Sequence, residues 1–219
     1  MSDIFREVDE ELRRDKFAKL WKRYGSIVVT AAIAVVAITA GVVAWNNWRQ
    51  ANAEAETARL VAALQPPGDE AASQAQVTVA DRLAAFAGDA DADRALLARF
   101  REAALRTEAG QREEALLIYD ALASSSGDPT YRDLAILLGV LHRVGEGDPA
   151  ELRARLQPLT TPSGAWRHTA REIDAILAVQ AGDRATAAAL FEELSADPSA
   201  PPSLRERASE LASVYAEEQ

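Results

Sequence analysis

The pattern of apolar and polar positions divides the chain at one stretch. Ser26–Trp45, SIVVTAAIAVVAITAGVVAW, runs for 20 residues without a charge or an amide side chain. At ~1.5 Å per residue a helix of that length spans about 30 Å, the thickness of a bilayer hydrocarbon core. Before it, residues 1–25 form a charged amphipathic segment, with a helix predicted over 2–24. Ile4, Val8 and Leu12 lie four apart, and Phe17, Leu20, Trp21 and Tyr24 continue at helical spacing. After it comes a connector over 46–68. Residues 46–64 are alanine-rich and lack Gly and Pro, so the membrane helix runs on or restarts after a short kink, until Pro66-Pro67-Gly68 ends it. From 69 to 219 no segment shows sustained period-two alternation, which predicts helices and no strands.

Aromatic rings flank the apolar stretch: Trp21 and Tyr24 before it, Trp45 and Trp48 after it. That is where amphipathic rings sit at headgroup level. Basic residues set the direction. Arg6, Arg13, Arg14, Lys16, Lys19, Lys22 and Arg23 precede the stretch, while only Arg49 and Arg59 stand in the 20 residues after it. The positive-inside rule then puts the N-terminus in the cytoplasm and the rest of the chain beyond the membrane. Val42-Val43-Ala44 resembles a signal-peptide cleavage site. The length of the apolar run and the mixed charge before it favour an uncleaved signal anchor.

Charge separates the two sides. The first 24 residues sum to +1 and the part beyond the stretch to −11, within a net charge of −10. Such a domain has no phosphate-neutralising surface, so no nucleic-acid partner is expected, and an anionic leaflet repels it. Every base beyond the stretch is arginine; the three lysines are Lys16, Lys19 and Lys22. Genomic composition is the plain explanation. There is no cysteine, which removes disulfides, thiolate nucleophiles, zinc–thiolate sites and iron–sulfur clusters.

Helix starts and stops punctuate the distal part. Gly127-Asp128-Pro129 and Gly147-Asp148-Pro149 each offer an Asp N-cap and a Pro at the first helical position; Asp183 follows Gly182 in the same way. Ser203 and Glu206 have the spacing of a capping box. Gly110, Gly147 and Gly182 are 37 and 35 residues apart. Counting five, nine and twelve residues on from each gives Ala115, Tyr119 and Leu122; Leu152, Leu156 and Leu159; Ala187, Phe191 and Leu194. Steps of four and three place each trio on one helical face. Seven residues before each glycine stands Ala103, Val140 or Ala175. Each unit therefore reads as helix, glycine turn, helix.

That period and shape resemble the tetratricopeptide repeat, or TPR. AGQREEALLIYDAL (109–122) and AGDRATAAALFEEL (181–194) are the two segments most similar to it. The first-helix aromatics of the motif are largely missing, and Leu122, Leu159 and Leu194 replace its small residue. About three degenerate repeats and a capping helix, Ser203 to Ala216, result; Gly68 opens a weaker half-unit through Val77 and Ala80. The fold class is all-α: a single N-terminal transmembrane helix followed by a degenerate TPR-like α-solenoid. Its concave wall suits extended peptides or partner helices.

Catalytic signatures are missing. His142 and His168 stand alone, outside HxxxH or HExxH spacing, and read as surface or turn histidines. Glu113-Glu114 and Glu192-Glu193 are adjacent on helices and read as solvated faces. Asp89, Asp91 and Asp93 alternate in a turn but lack the Gly and Glu of an EF-hand loop. Trp166 reads as interhelix packing. No enzyme, metal, cofactor or small-molecule substrate is expected.

The charged segment EVDEELRRDK…WKRYG, the Trp45–Trp48 exit and the two TPR segments resemble, over nearly the whole length, the ancillary SecYEG translocon subunits of Gram-negative bacteria. That resemblance implies a single-pass inner-membrane protein with residues 46–219 in the periplasm. Its partners would be a SecYEG-type export channel and a membrane-anchored periplasmic chaperone, and it would assist newly exported chains without catalytic residues. A TPR scaffold of cell-envelope or cell-division machinery is the alternative.

Overall fold

The computed structural model describes residues 3–68, 71–125 and 127–217, with side chains from Trp21 onward apart from a few positions. All regular elements among them are helices: α1 (Asp3–Leu64), α2 (Ala72–Asp89), α3 (Ala92–Glu108), α4 (Arg112–Ser125), α5 (Pro129–Leu141), α6 (Pro149–Leu156), a 3-10 turn (Gln157–Thr160), α7 (Arg167–Gln180), α8 (Arg184–Ala196) and α9 (Pro202–Glu217). They fall into two compact units, Met1–Ala58 and Arg59–Gln219.

The first unit holds α1 as far as Ala58, and the last turns of α1 belong to the second. No break separates the charged segment from the apolar one: the helix expected over 2–24 runs on into the apolar stretch. Gly25 continues the helix and is covered by the Trp21 ring, 3.2 Å from where a Cβ would stand. The stretch from Trp21 is long and apolar enough to cross a membrane. Its large side chains face outward, with Val36 68% and Ile38 66% exposed.

In the second unit the helices from α2 to α9 pack chiefly on their neighbours in sequence. The core accordingly divides into four small clusters in chain order. Val79, Ala80, Leu83, Ala98 and Leu105 meet Leu60 and Ala63. Ala103, Ala115 and Tyr119 follow, with Phe100 and Leu138 against them. Leu137, Val140, Leu152, Leu156, Leu159, Ile173 and Leu177 form the third, and Ala175, Ala187, Phe191, Leu194 and Leu204 lie in the fourth. The buried face of α2 is Val79, Ala80 and Leu83, so the reading through Val77 is off register; Val77 is only half-buried.

The turns follow from backbone chemistry. Gly110 and Gly182 have φ of +82° and +77°, a region costly for other residues. Each supports a Schellman end. Gly110 N–H donates to Thr107 O and Gln111 N–H to Arg106 O; Gly182 N–H donates to Val179 O and Asp183 N–H to Ala178 O. The middle unit departs from this pattern. Its left-handed residue is Gly145, at φ +92°, not Gly147. Gly147 is held tight by packing, since a Cβ there would stand 3.0 Å from Leu152 Cδ1. Pro158, lacking an N–H, stops α6 early and puts Leu159 on the 3-10 turn, where it is still buried. Asp128, Asp148 and Asp183 cap α5, α6 and α8 through the N–H groups of Thr130, Ala150 and Thr186. Ser203 is not a cap. α9 begins at Pro202, and the Pro201 carbonyl accepts from Leu204 and Arg205, which leaves Ser203 inside the first turn.

Phe191 is 1% exposed and Leu117, on the outer face of α4, is 70% exposed. Phe191→Ala should cost about 3–5 kcal/mol, and Leu117→Ala less than about 0.5 kcal/mol. Urea unfolding of the full chain in detergent, followed by circular dichroism, checks the contrast.

Candidate interaction surface

Trp21, Tyr24, Trp45 and Trp48 are all exposed on α1. The rings of Trp45 and Trp48 lie 5.4 Å apart and tilted by 37°. The Arg23 guanidinium stands 5.7 Å over the Tyr24 ring, and Lys22 is exposed. Arg13, Arg14, Lys16 and Lys19 lie on the backbone of α1, with their side chains outside the described part.

In the second unit the predicted trios all line the core: Ala115, Tyr119 and Leu122; Leu152, Leu156 and Leu159; Ala187, Phe191 and Leu194 are buried. Apart from Leu122, which also lines the groove described next, they support the surface and are not part of it. The surface feature is a groove of about 400 Å³ between α3 and α5, lined also by Leu122 and Ser125 at the end of α4. Leu96 from α3 and Leu122 from α4 form its floor, Tyr131 from α5 one wall, and Asp93, Arg99 and Asp128 bring charge. Tyr131 is fixed from behind. Its ring stands 6.3 Å from Phe100, Phe100 stands 6.4 Å from Tyr119, and Tyr119 stacks on His142 at 5.6 Å. Rings at such centroid spacings attract edge to face or offset. Behind Arg99 lies Glu102, a buried carboxylate held by Arg99 Nη1 and Arg106 Nε, each at 3.0 Å. Arg106 donates also to Asp81 and Gln111. Sequence periodicity does not reveal this groove, because Asp93, Leu96 and Tyr131 fall outside the trios.

Polar interlocks tie one unit to the next. Asp120 on α4 accepts from Arg143, in the turn after α5, and from Arg155 on α6, at 2.6 Å each. Burial alone would raise its pKa, but the hydrogen bonds and charges of Arg155 and Arg143 outweigh that and hold it low. Gln180 clamps the middle turn. Its amide oxygen accepts from Gly145 N–H at 3.0 Å, and its amide nitrogen donates to Gly147 O at 3.2 Å. A signal for these was present: Asp120 and Arg155, Gln180 and Gly145, and Glu172 and Arg207 are each 35 residues apart, one repeat.

The other residues singled out by sequence are structural. Trp166 packs against the third cluster and donates Nε1–H to Thr130 O at 3.0 Å. Asp91 caps α3 through Arg94 N–H. Glu113, Glu114, Glu192 and Glu193 are exposed. No group of His, Asp and Glu among the described residues is arranged to hold a metal. Both histidines are partly buried, and His142 lies in the turn after α5. His142, half-buried, ends α5 under Tyr119; His168 lies in the first turn of α7 with both ring nitrogens buried, Nδ1 3.5 Å from Asp197 Oδ2.

Burial, then the Arg112 charge, push His142 below its ordinary pKa; burial and Arg167 do the same to His168 against the pull of Asp197. The unfolded chain, with histidines near 6.5, therefore takes up protons before the folded one does. Stability from this source is complete above that value and is lost as pH falls through the folded pKa values. The melting temperature should drop between pH 7 and pH 5, above the ordinary carboxylate range. His142→Asn/His168→Asn should flatten that slope in scanning calorimetry.

Searches of curated proteins and of solved structures each return no match. A family model does match: residues 18–172 fit the tetratricopeptide repeat-like domain. The matched span starts ahead of the apolar stretch and ends in α7, taking in the groove and the first interlocks. By this match over more than half its length, the chain belongs to the tetratricopeptide repeat-like domain family.

Proposed function

We propose that this chain is a non-enzymatic, membrane-anchored adaptor whose repeat domain binds protein partners at the Sec export channel. The carrying observation is the joining, in one chain, of a basic N-terminal segment, one apolar stretch and a TPR-like stack. The stack supports protein binding, because repeat domains of this family are generally scaffolds that present an extended wall to other chains. The apolar stretch supports a single span. The excess of Lys and Arg before it supports a cytoplasmic N-terminus and a periplasmic repeat domain in the inner membrane. The partners in this reading are a SecYEG-type channel and a membrane-anchored periplasmic chaperone, with newly exported chains as clients.

Two experiments test it. Mild crosslinking in intact cells, then detergent pull-down, should bring down channel subunits and a periplasmic chaperone. Envelope-synthesis or division proteins in their place would favour the scaffold alternative. Topology is testable separately, because the chain has no native cysteine. Cysteine introduced at the exposed Ser213 should react with a membrane-impermeant maleimide once the outer membrane is opened. Cysteine at Ser2 should react only after the inner membrane is broken. The opposite labelling would reverse the orientation.

A further inference from the structure

We infer that Lys22 and Arg23 hold the phosphate of anionic phospholipids in the leaflet on the N-terminal side of the apolar stretch. This rests on the single span of the reading above and is independent of the Sec partners. Charge is sorted along α1, which is unbroken from Asp3 to Leu64. Residues 3–12 carry five acids and one base; residues 13–23 carry six bases and one acid. Helical spacing then sorts the bases. Asp9 and Glu10 stand four residues before Arg13 and Arg14, and Asp15 four before Lys19, the favourable spacing for an ion pair on a helix. No acid lies within four residues of Lys22 or Arg23 on either side. The nearest is Asp15, seven and eight positions back. Along the helix that is about 10–12 Å, more than the Debye length of about 8 Å at physiological salt.

Position brings these two charges to the headgroups. Lys22 and Arg23 precede Ser26 by four and three residues, so they stand about 4–6 Å outside the apolar stretch. The polar layer on each side of a bilayer is about 5–7 Å deep. Both side chains are exposed, as are Trp21 and Tyr24 next to them. The Trp21 ring lies over Gly25 and so leans toward the apolar stretch; rings of this kind settle at the interface and fix the depth of their neighbours. Arg23 stands 5.7 Å over the Tyr24 ring, but a ring has no net charge, so the guanidinium keeps its own. Lys22 is one of the chain's three lysines, all ahead of the apolar stretch; its flexible stem and compact ammonium can follow a headgroup. A zwitterionic lipid offers a phosphate already balanced by its own cation, whereas an anionic lipid offers net charge. A second copy does not supply the anion. In the same orientation its Lys22 and Arg23 stand level with these, like charge beside like.

The test uses the full chain in phosphatidylcholine vesicles with a trace of spin-labelled lipid, either phosphatidylglycerol or phosphatidylcholine on the same acyl chains. Electron spin resonance separates lipid slowed by contact with the protein from free lipid. Slowed phosphatidylglycerol should exceed slowed phosphatidylcholine about fivefold, the upper end for one exposed ion pair. Both leaflets share one composition, so orientation in the vesicle does not matter. At about 1 M salt, where the Debye length is about 3 Å, the preference should disappear. Lys22→Gln/Arg23→Gln should abolish it at low salt. Lys22→Arg/Arg23→Lys keeps both charges and should keep the preference. Arg13→Gln/Arg14→Gln removes the same charge farther from the apolar stretch and should leave it unchanged.

Equal slowing of both lipids by wild type, a preference that survives Lys22→Gln/Arg23→Gln, or an equal loss in Arg13→Gln/Arg14→Gln would overturn the assignment. So would a loss in Lys22→Arg/Arg23→Lys, which would make the role of the pair structural and not electrostatic. The span beneath it is judged by the phosphatidylcholine signal. If that lipid is slowed and phosphatidylglycerol is slowed no more, the span stands and the headgroup assignment alone falls. If neither lipid is slowed, α1 does not enter the bilayer and the span falls as well.

Discussion

A pair of helices cannot seal its own apolar face. From Arg59 onward the structure is a serial answer to that constraint. Each cluster of buried side chains is small, and each is closed by the next helix in the chain: Leu138 of α5 covers the Tyr119 cluster, and α9 covers Phe191 with Leu204 and Ala208. Close approach depends on small residues where helices cross. Ala103 and Ala115 meet at one crossing and Ala175 and Ala187 at another, all fully buried. A larger side chain at either crossing would force the pair apart, with overpacking costs of about 1–3 kcal/mol. Stability is then a sum of local units and their interfaces, as in other stacked repeats.

The polar contacts do different work. Asp120 with Arg143 and Arg155, and Glu172 with Arg207, stand at the surface, where an ion pair is worth about 0.2–1 kcal/mol. That is too little to hold a stack together. It is enough to favour one rotation of a repeat on its neighbour, since Asp120–Arg155 and Glu172–Arg207 each join positions one repeat apart. Gln180 does the same through two backbone groups of the middle turn, the turn that lacks a Schellman end. Glu102 is another matter. It is a buried carboxylate, and removing a partner from such a charge costs about 3–5 kcal/mol. Arg99 and Arg106 are needed to make its burial tolerable.

Periodicity made the architecture legible. The helical fold and the apolar N-terminal stretch follow from hydropathy, and the repeat follows from glycines 37 and 35 residues apart. The helix caps at Asp128, Asp148 and Asp183 are local chemistry and could be read directly. What escaped reading depended on neighbours. Leu159 sits on a 3-10 turn because Pro158 intervenes, and Gly145 carries the left-handed turn because the middle connection is longer than the others. Val77 yields to Val79 and Leu83 because the face of α2 is chosen by Leu60, Ala63 and α3. The groove was illegible for the same reason: Asp93 and Asp128 share a surface only once α5 lies beside α3.

The exclusive use of arginine in the repeat domain has structural consequences whatever its origin. Arg106 donates through Nε to Glu102, through Nη1 to Gln111 and through Nη2 to Asp81, so one planar fork joins α2, α3 and the turn into α4. Arg143 reaches Gly139 O and Asp120 together, and Arg167 reaches Gly164 O and Ser199. An ammonium is a compact point charge on a flexible stem; it cannot present three donors in fixed directions to partners on different elements. Lysine at position 106 would keep the charge beside Glu102 and lose the connection to Asp81 or Gln111. An acidic domain without disulfides or a large continuous core thus gains cross-links from a few bases, each serving several acceptors. The same arrangement turns Arg99 inward to the buried Glu102.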